Sequence, residues 1–186
     1  MSTKFVAEVS SNHNKNLNRC FKLIEKAEKI GCDTVKFQLF KINKLFSPEI
    51  LKKSKEHRKR IKWELPVEFL PKLSKRCHDL GLEFACTPFY LQAVKELEPY
   101  VDFYKIASYD ILRHDLLKTC AKTGLPVVLS TGMANLKEID LAMEALKKSG
   151  AKDITLLHCV SSYPASPKQC NLAAIKTLKN RYRCKV

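Results

Sequence analysis

Short apolar segments alternate with amphipathic segments of helical period along the whole of this 186-residue chain. The apolar segments predict six strands, Lys4–Glu8, Thr34–Gln38, Glu83–Cys86, Val101–Ile106, Pro126–Leu129 and Ile154–Leu157. The amphipathic segments predict helices at Asn16–Ile30, Pro66–Leu80, Leu91–Leu97, Leu112–Lys122, Leu136–Ser149 and Leu172–Asn180, with a basic loop or helix before the second of these. Strands that alternate with helices favour a parallel sheet, because parallel neighbours need a long crossover connection.

The sheet is predicted to belong to a barrel rather than to a doubly wound fold. Neither GxGxxG nor GxxxxGK[ST] occurs, which lowers the nucleotide-binding option. Polar residues come at the ends of many strands rather than at a single crevice, and this distribution favours a barrel. A (β/α)8 TIM barrel takes about 250 residues, so we expect an α/β chain truncated after about six βα units, forming one partial domain over 1–186. Cys184–Val186 could begin a seventh strand.

Composition is that of a soluble globular protein, with 45% apolar and 28% charged residues. The sequence shows no apolar run of membrane-spanning length and no visible secretory signal. We therefore predict a cytoplasmic protein that does not bind membranes. Its eight cysteines lack zinc-site spacing, and we expect reduced thiols, several of them buried.

The net charge of +15 is concentrated partly in the basic segment 52–62. A nucleic-acid site is one interpretation of such a segment, and it would predict binding that weakens steeply with salt. No aromatic residue interleaves the basic run, and nucleic-acid binding would leave the strand-end residues unexplained. We favour a solvated segment that also attracts an anionic substrate, and we expect no nucleic-acid partner.

Three charged side chains of the predicted strands are candidate site residues. Glu8 ends the first strand, where a carboxylate suits acid–base work or the orientation of a water or hydroxyl. Lys36 and Gln38 share one face of the second strand, and Lys105 lies in the fourth. A lysine in an apolar strand is costly unless its ammonium meets an anion. The two lysines together predict a phosphate or carboxylate site.

Hydroxyl groups follow several strands and are the second component of the predicted site. Thr87, Ser108 and Ser130 come at or just after strands three, four and five, and Thr131-Gly132 follows Ser130. Hydroxyls beside a glycine with free backbone N–H groups suit phosphate oxygens, although Ser and Thr are also ordinary helix caps. The sixth strand is followed by three further polar residues, His158, Ser161 and Tyr163. His158 is equally compatible with a satisfied core position and with catalysis, whereas His13 is interpreted as a hydrogen-bonding loop residue.

Six motifs, in order, cover nearly the whole chain. They are Ala7-Glu8-Val9-Ser-Ser-Asn12-His13-Asn14, Val35-Lys36-Phe37-Gln38, Cys86-Thr87-Pro88-Phe89, Tyr104-Lys105-Ile-Ala-Ser108, Leu129-Ser130-Thr131-Gly132-Met133 and Leu157-His158-Cys159-Val-Ser161-Ser162-Tyr163-Pro164. Together they resemble the barrel of the N-acetylneuraminate (sialic acid) synthase family, which includes pseudaminic and legionaminic acid synthases. The resemblance implies a transferase that condenses phosphoenolpyruvate with N-acetylmannosamine or a related diacetamido sugar, giving a nonulosonic acid and phosphate.

The resemblance also implies roles for residues of this chain. Phosphoenolpyruvate contacts fall on Lys36, Thr87, Lys105, Ser108 and Ser130. Ser161 matches a position where some relatives have Asn, so its substrate hydrogen bond is a weaker expectation. Gln38 and Tyr163 match positions near the acceptor sugar. Glu8 matches an acidic residue that orients the sugar or a water, and we expect Glu8, Lys36 and Lys105 to be the catalytic residues.

Family members use a divalent metal, Mn or Mg, held by two histidines on the seventh and eighth strands, and many form a domain-exchanged homodimer through a C-terminal antifreeze-like domain. Both features are expected beyond Val186. We therefore expect residues 1–186 alone to bind no metal and to be inactive or nearly so.

Two other functions remain open at this stage. A Schiff-base class I aldolase would use a desolvated Lys105 as its amine nucleophile, and borohydride trapping with pyruvate would detect it. A non-catalytic barrel remnant that binds an anion would also explain the lysines and hydroxyls.

Overall fold

The computed structural model describes residues 3–186, which divide into two compact units, residues 3–102 and residues 103–186. Each unit contains three parallel strands in chain order, with helices between them. The predicted α/β class with parallel strands is confirmed.

In the first unit the strands are β1 Val6–Ser10, β2 Thr34–Leu39 and β3 Glu83–Pro88. The helices are α1 Leu17–Lys29, α2 Ile42–Leu45, α3 Pro48–Lys53, α4 Lys55–Lys59, α5 Leu70–Asp79 and α6 Leu91–Leu97, with 3-10 turns at Arg60–Trp63 and Val67–Phe69. The predicted helix from Pro66 therefore begins as a 3-10 turn and becomes an α-helix only at Leu70.

The second unit has strands β4 Phe103–Ile106, β5 Val127–Ser130 and β6 Ile154–Leu157. Its helices are α7 His114–Lys122, α8 Leu136–Lys148 and α9 Ala173–Tyr182, with 3-10 turns at Ser108–Asp110 and Pro167–Gln169. Lys185 forms an isolated parallel bridge with Thr155 of β6, and the Leu156 N–H donates to its carbonyl at 2.9 Å. The last residues thus begin to pair beside β6, as predicted.

The core of each unit lies between its strands and the apolar faces of its helices. In the first unit Ile24 of α1, Leu73 of α5 and Phe37 of β2 are fully buried. In the second unit Leu116 and Leu117 of α7 are fully buried in the same way. This packing fixes the strands, so that the polar side chains at their carboxyl ends occupy defined positions.

Candidate active site

An ion pair between a nearly buried lysine and a half-exposed glutamate lies on the strands of the first unit. Glu8 and Lys36 are opposite each other in the register of β1 and β2, and the Lys36 ammonium contacts a Glu8 carboxylate oxygen. The Lys36 side chain is only 8% exposed, whereas that of Glu8 is 43% exposed. The other Glu8 oxygen accepts the Ser10 N–H at 2.9 Å. The anion that the sequence predicts beside the Lys36 ammonium is thus the Glu8 carboxylate in this structure, and solvent can reach that carboxylate.

Two further predicted site residues share this face of the strands. Gln38 lies two residues after Lys36 on β2, and Thr87 is its register partner on β3. Thr87 is buried, while Gln38 is half-buried. The first unit therefore brings Glu8, Lys36, Gln38 and Thr87 to one face of its three strands.

A cavity of about 410 Å³ lies in the same unit. Its lining combines hydroxyl and amide groups, aromatic rings and one guanidinium: Ser10, Ser11, Asn12, Asn14, Gln38, Phe40, Leu45, Arg60, Trp63 and Phe89. The volume falls within the range of small-molecule sites. Gln38 connects this cavity to the predicted substrate residues.

His13 is fully buried in the loop after β1. Its Nδ1 accepts the Lys15 N–H at 3.0 Å. Burial lowers the pKa of His13, and the Trp63 carbonyl opposes this effect. The interpretation of His13 as a loop-stabilising hydrogen-bonding residue is confirmed.

In the second unit, hydroxyl groups surround the turn after β5. Ser130 is fully buried, and the Cys159 thiol contacts its hydroxyl at 3.5 Å. Ser108, after β4, accepts the Gly132 N–H at 3.2 Å. Lys105 on β4 is half-buried and is the register partner of Val128 on β5.

Gly132 lies where only a glycine fits. A Cβ at this position would lie 2.7 Å from the Cys159 carbonyl oxygen and 2.8 Å from the Ser161 hydroxyl. The chain therefore brings Ser161 against the turn that also contacts Ser108. The prediction of a free N–H at Gly132 is wrong, because Ser108 accepts that hydrogen. The Thr131 hydroxyl is also engaged, donating to the Leu157 carbonyl at 2.9 Å.

The other two polar residues after β6 differ from Ser161. One imidazole nitrogen of His158, Nε2, lies 2.7 Å from the Cys170 carbonyl oxygen, so this side chain anchors the following loop. Tyr163 is 90% exposed, and no described contact joins it to the serines of this turn. The second unit thus gathers Ser108, Ser130 and Ser161 at neighbouring positions and leaves Tyr163 facing solvent.

Three further properties of the part of the chain that the structure describes concern metal ligands, thiols and membrane-spanning helices. No group of three or more His, Cys, Asp or Glu side chains within residues 3–186 is arranged to hold a metal ion. All eight cysteines are free thiols, and Cys20, Cys77, Cys86 and Cys120 are buried, as predicted. Among the described helices, none has the length and apolar character that crossing a bilayer requires.

The sequence analysis missed Arg60 and Trp63 as cavity residues. Arg60 belongs to the basic segment interpreted as solvated, yet its guanidinium lies 5.6 Å from the Phe46 ring centroid and 5.5 Å from that of Trp63. The aromatic residues flank the basic run instead of interleaving it. The chain's one tryptophan, placed directly after that run, was the signal that could have indicated the stack.

Comparison with known proteins gives one family. The NeuB family model matches residues 23–186. The N,N'-diacetyllegionaminic acid synthase of Campylobacter jejuni is 38% identical over 99% of this chain and 59% of its own length. The N-acetylneuraminate-9-phosphate synthase of Drosophila melanogaster is 32% identical over 97% of this chain and 51% of its own length.

A solved structure agrees with these relatives. The N-acetylneuraminic acid (sialic acid) synthetase of Leptospira borgpetersenii, in complex with citrate, matches with a TM-score of 0.91 and 33% identity, over 99% of this chain and 63% of that one. This chain spans between half and three fifths of the length of the two curated relatives above. The resemblance seen in six strand-end motifs is therefore confirmed over the full described chain, and the protein belongs to the NeuB family of sialic-type acid synthases.

Proposed function

We propose that this chain contributes the phosphoenolpyruvate-binding residues of a nonulosonic acid synthase. The reaction condenses phosphoenolpyruvate with an N-acetylated aldose, N-acetylmannosamine or a related diacetamido sugar, and releases phosphate. The observation that carries the proposal is the nearly buried Lys36 ammonium on one face with Gln38 and Thr87. Its carboxylate partner Glu8 is 43% exposed and can turn to water, which leaves Lys36 to an anionic substrate.

The architecture that belongs to this function is the first part of a (β/α)8 barrel, with six of its eight βα units in this chain. The parallel pairing, the chain-order sequence of strands in each unit and the polar residues at the carboxyl ends of the strands support this assignment.

Lys36 and Lys105 are assigned to the carboxylate and phosphate of phosphoenolpyruvate. Hydroxyl groups of Thr87, Ser108 and Ser130 complete the anion contacts. Fixed positive charge and hydroxyl donors at these positions stabilise the charge that develops as phosphate departs. Because Ser108 already accepts the Gly132 N–H, its own hydroxyl hydrogen is available to a substrate oxygen.

The family resemblance implies the bond changes. The C3 carbon of phosphoenolpyruvate attacks the aldehyde carbon of the open-chain sugar, the aldehyde oxygen takes up a proton to become a hydroxyl, and positive charge develops at C2. Water adds to C2 and loses a proton, and the tetrahedral intermediate then expels phosphate by cleavage of the bond between C2 and the phosphate oxygen, while the remaining proton of the new hydroxyl leaves and a C2 carbonyl forms. Glu8 is assigned to hold the water or a sugar hydroxyl. Gln38 and Tyr163 are assigned to the acceptor sugar, and Ser161 is assigned a further substrate hydrogen bond.

A Mn or Mg ion and a homodimer remain predictions for a family member that includes the two metal-binding histidines. The described residues offer no metal-binding cluster, so the roles assigned to this chain are substrate binding and charge stabilisation. Residues 1–186 alone are expected to release little or no phosphate.

Turnover is best tested in a chimera. Residues 1–186 would replace the matching part of the Campylobacter jejuni relative, which aligns with 99% of this chain. With a divalent metal present, the chimera is expected to release phosphate from phosphoenolpyruvate only when an N-acetylated aldose is added. Lys36→Met and Lys105→Met should each abolish that release.

A folded chimera that releases no phosphate with N-acetylmannosamine, with a 2,4-diacetamido sugar or with a phosphorylated or carboxylated derivative of either would contradict the proposal. A covalent adduct trapped on Lys105 by borohydride and pyruvate would contradict it as well, because the adduct requires an amine nucleophile.

A further inference from the structure

The cavity of the first unit contains one charged side chain among its ten lining residues, and that side chain is Arg60. The remaining polar lining groups are neutral hydroxyls and amides, and the apolar ones include Phe40, Leu45 and Phe89. Neutral hydrogen-bonding groups next to aromatic rings suit a sugar, whose hydroxyls and ring carbons need different neighbours.

Aromatic rings hold the Arg60 guanidinium in place. It lies over the rings of Phe46 and Trp63, with centroid distances of 5.6 and 5.5 Å. Guanidinium–ring contacts of this kind restrict the side chain and strengthen when solvent is excluded. The Nε atom of Arg60 is buried and has no hydrogen-bond partner among the described residues. A buried N–H donor without an acceptor is costly, so an acceptor that enters the cavity beside Arg60 would stabilise this group.

The charge of Arg60 is also unmatched. None of the ion pairs of residues 3–186 includes Arg60. Glu64, four residues further along the chain, accepts the Ile42 N–H at 2.8 Å and pairs with Lys41 at 3.7 Å. By contrast, Arg58 of the same basic segment donates to the Leu51 and Lys52 carbonyls. Arg60 is thus a restrained guanidinium that faces a cavity without a protein anion, and guanidinium groups in such positions favour carboxylate or phosphate oxygens.

We propose that Arg60 binds an anionic group on the acceptor sugar, so that this cavity selects an acceptor with a phosphate or a carboxylate over a neutral acceptor. The inference rests on the proposed function, which assigns Gln38, a lining residue of this cavity, to the acceptor sugar. It goes beyond that function by assigning a specificity-determining residue and a charge to the substrate. The sugar hydroxyls would face Ser10, Asn12 and Asn14, and the anionic group would face Arg60.

Trp63 makes the proposal directly measurable. It lines the cavity, contacts Arg60 and is the only tryptophan in the sequence. Its fluorescence would be followed during titration with N-acetylmannosamine 6-phosphate, N-acetylmannosaminuronate, neutral N-acetylmannosamine and inorganic phosphate. The proteins would be the wild-type chain, Arg60→Gln, Arg60→Lys and the control Lys59→Gln, which removes the same charge from the exposed neighbouring residue. Circular dichroism would establish that each variant is folded.

The wild-type chain and Lys59→Gln are expected to bind at least one anionic sugar about tenfold or more tightly than the neutral sugar, the effect of one charge-assisted contact. Arg60→Gln should remove that preference, and Arg60→Lys should retain part of it. A preference for the phosphate or for the uronate would identify the anionic group, and either supports the proposal.

Equal affinity for neutral and anionic sugars, or equal losses in Arg60→Gln and Lys59→Gln, would overturn the proposal. A Trp63 response to inorganic phosphate that the sugars do not exceed would also overturn it, because the cavity would then be a simple anion site. None of these results depends on Lys36, so phosphoenolpyruvate binding, measured separately with Lys36→Met, shows whether the proposed function itself fails.

Discussion

Lys36 is nearly buried while its partner Glu8 reaches solvent. This difference decides how much folding free energy is lost when either charge loses its partner. A buried charge that loses its partner is strongly destabilising, whereas an exposed charge that loses its partner is simply hydrated. The same asymmetry serves the proposed chemistry, since Glu8 can leave Lys36 when an anionic substrate arrives.

Glu8→Gln is therefore expected to lower the free energy of unfolding by about 2 kcal/mol or more, because it leaves Lys36 buried and unpaired. Lys36→Met should cost less than about 1 kcal/mol, because a side chain of similar length fills the space and Glu8 turns to water. Urea denaturation of the two variants and of the double variant measures both effects. A larger loss for Lys36→Met than for Glu8→Gln would contradict this account.

Gly132 is the second residue whose position is tightly constrained. Gly132→Ala is expected to cost about 1–3 kcal/mol, because the new methyl group meets the Cys159 backbone and Ser161. It should also weaken phosphoenolpyruvate binding, since the displaced N–H no longer orients Ser108. Urea denaturation and calorimetry provide the two readouts.

Gly150→Ala is the matched control for Gly132→Ala. Nothing lies within 4 Å of its added Cβ, and its cost comes only from a φ of +100°. It should destabilise the fold without changing phosphoenolpyruvate affinity. Equal losses of affinity in both variants would exclude the positioning role of Gly132.

At the scale of elements, α9 is the most weakly packed long helix of the second unit. Leu178 is its one buried residue, whereas α8 buries five. A polar contact compensates: Asp140 on α8 accepts hydrogen bonds from Arg181 at 3.0 and 2.6 Å and from Tyr182 at 2.9 Å. These donors, Arg181 first, lower the pKa of Asp140 below its usual value near 3.8.

Asp140→Asn is expected to speed amide hydrogen exchange in α9. Because the folded-state pKa is lowered, the contribution of Asp140 is complete above the usual carboxyl pKa and disappears as pH falls through the folded value. Wild-type protection factors in α9, from which the pH dependence of intrinsic exchange has been removed, should therefore fall on acidification toward pH 3, and Asp140→Asn should lack that component.

Glu144→Gln provides the control, because the pairing of Glu144 among residues 3–186 lies within α8, with Lys148 at 2.5 Å. It removes an equal charge from the same helix and should leave α9 unchanged. Equal acceleration in both variants would show that net charge, and not the Asp140 contact, controls α9.

Periodicity predicted the position of every long element, because each has a strong apolar face. Periodicity did not predict the helices of segment 42–63, because these three helices are too short to show an apolar face that repeats over several turns. Their boundaries depend instead on local caps, such as the Ser47 hydroxyl that accepts the Ile50 N–H and the Ser54 hydroxyl that accepts the His57 N–H. Propensity alone does not resolve such caps.

The sequence predicted the site residues that lie on strands but not the contacts between residues that are distant in the sequence. Lys36, Gln38 and Thr87 stand out because polar residues in apolar strands need a reason. The contact of Arg60 with Phe46 and that of Gly132 with Ser161 were not predictable, because each joins residues that are distant in the sequence. Tertiary proximity of that kind leaves no periodic signal in the sequence.

At the scale of the whole molecule, burial divides the eight thiols into two classes. It raises the pKa of Cys20 to about 11 and those of Cys77 and Cys120 to about 12, and it raises the pKa of Cys86 as well. The thiolate is the reactive species, so these four cysteines have almost none of it at pH 8.

Brief alkylation of the folded protein at pH 8 is expected to modify the four less buried cysteines, Cys32, Cys159, Cys170 and Cys184. Burial also raises the pKa of Cys184, which should react more slowly than Cys32. Peptide mass spectrometry locates the adducts, and the urea-unfolded chain should react at all eight positions. Modification of Cys86 as fast as Cys32 would contradict the packing described here.

The central claim is that this chain binds phosphoenolpyruvate through Lys36, and calorimetric titration of residues 1–186 with phosphoenolpyruvate tests it most directly. The wild-type chain and Lys72→Met, which removes an exposed charge from α5, are expected to bind alike. Lys36→Met should bind about tenfold or more weakly, as loss of a charge-assisted contact implies. Absence of wild-type binding, or equal affinity of Lys36→Met and Lys72→Met, would contradict the account.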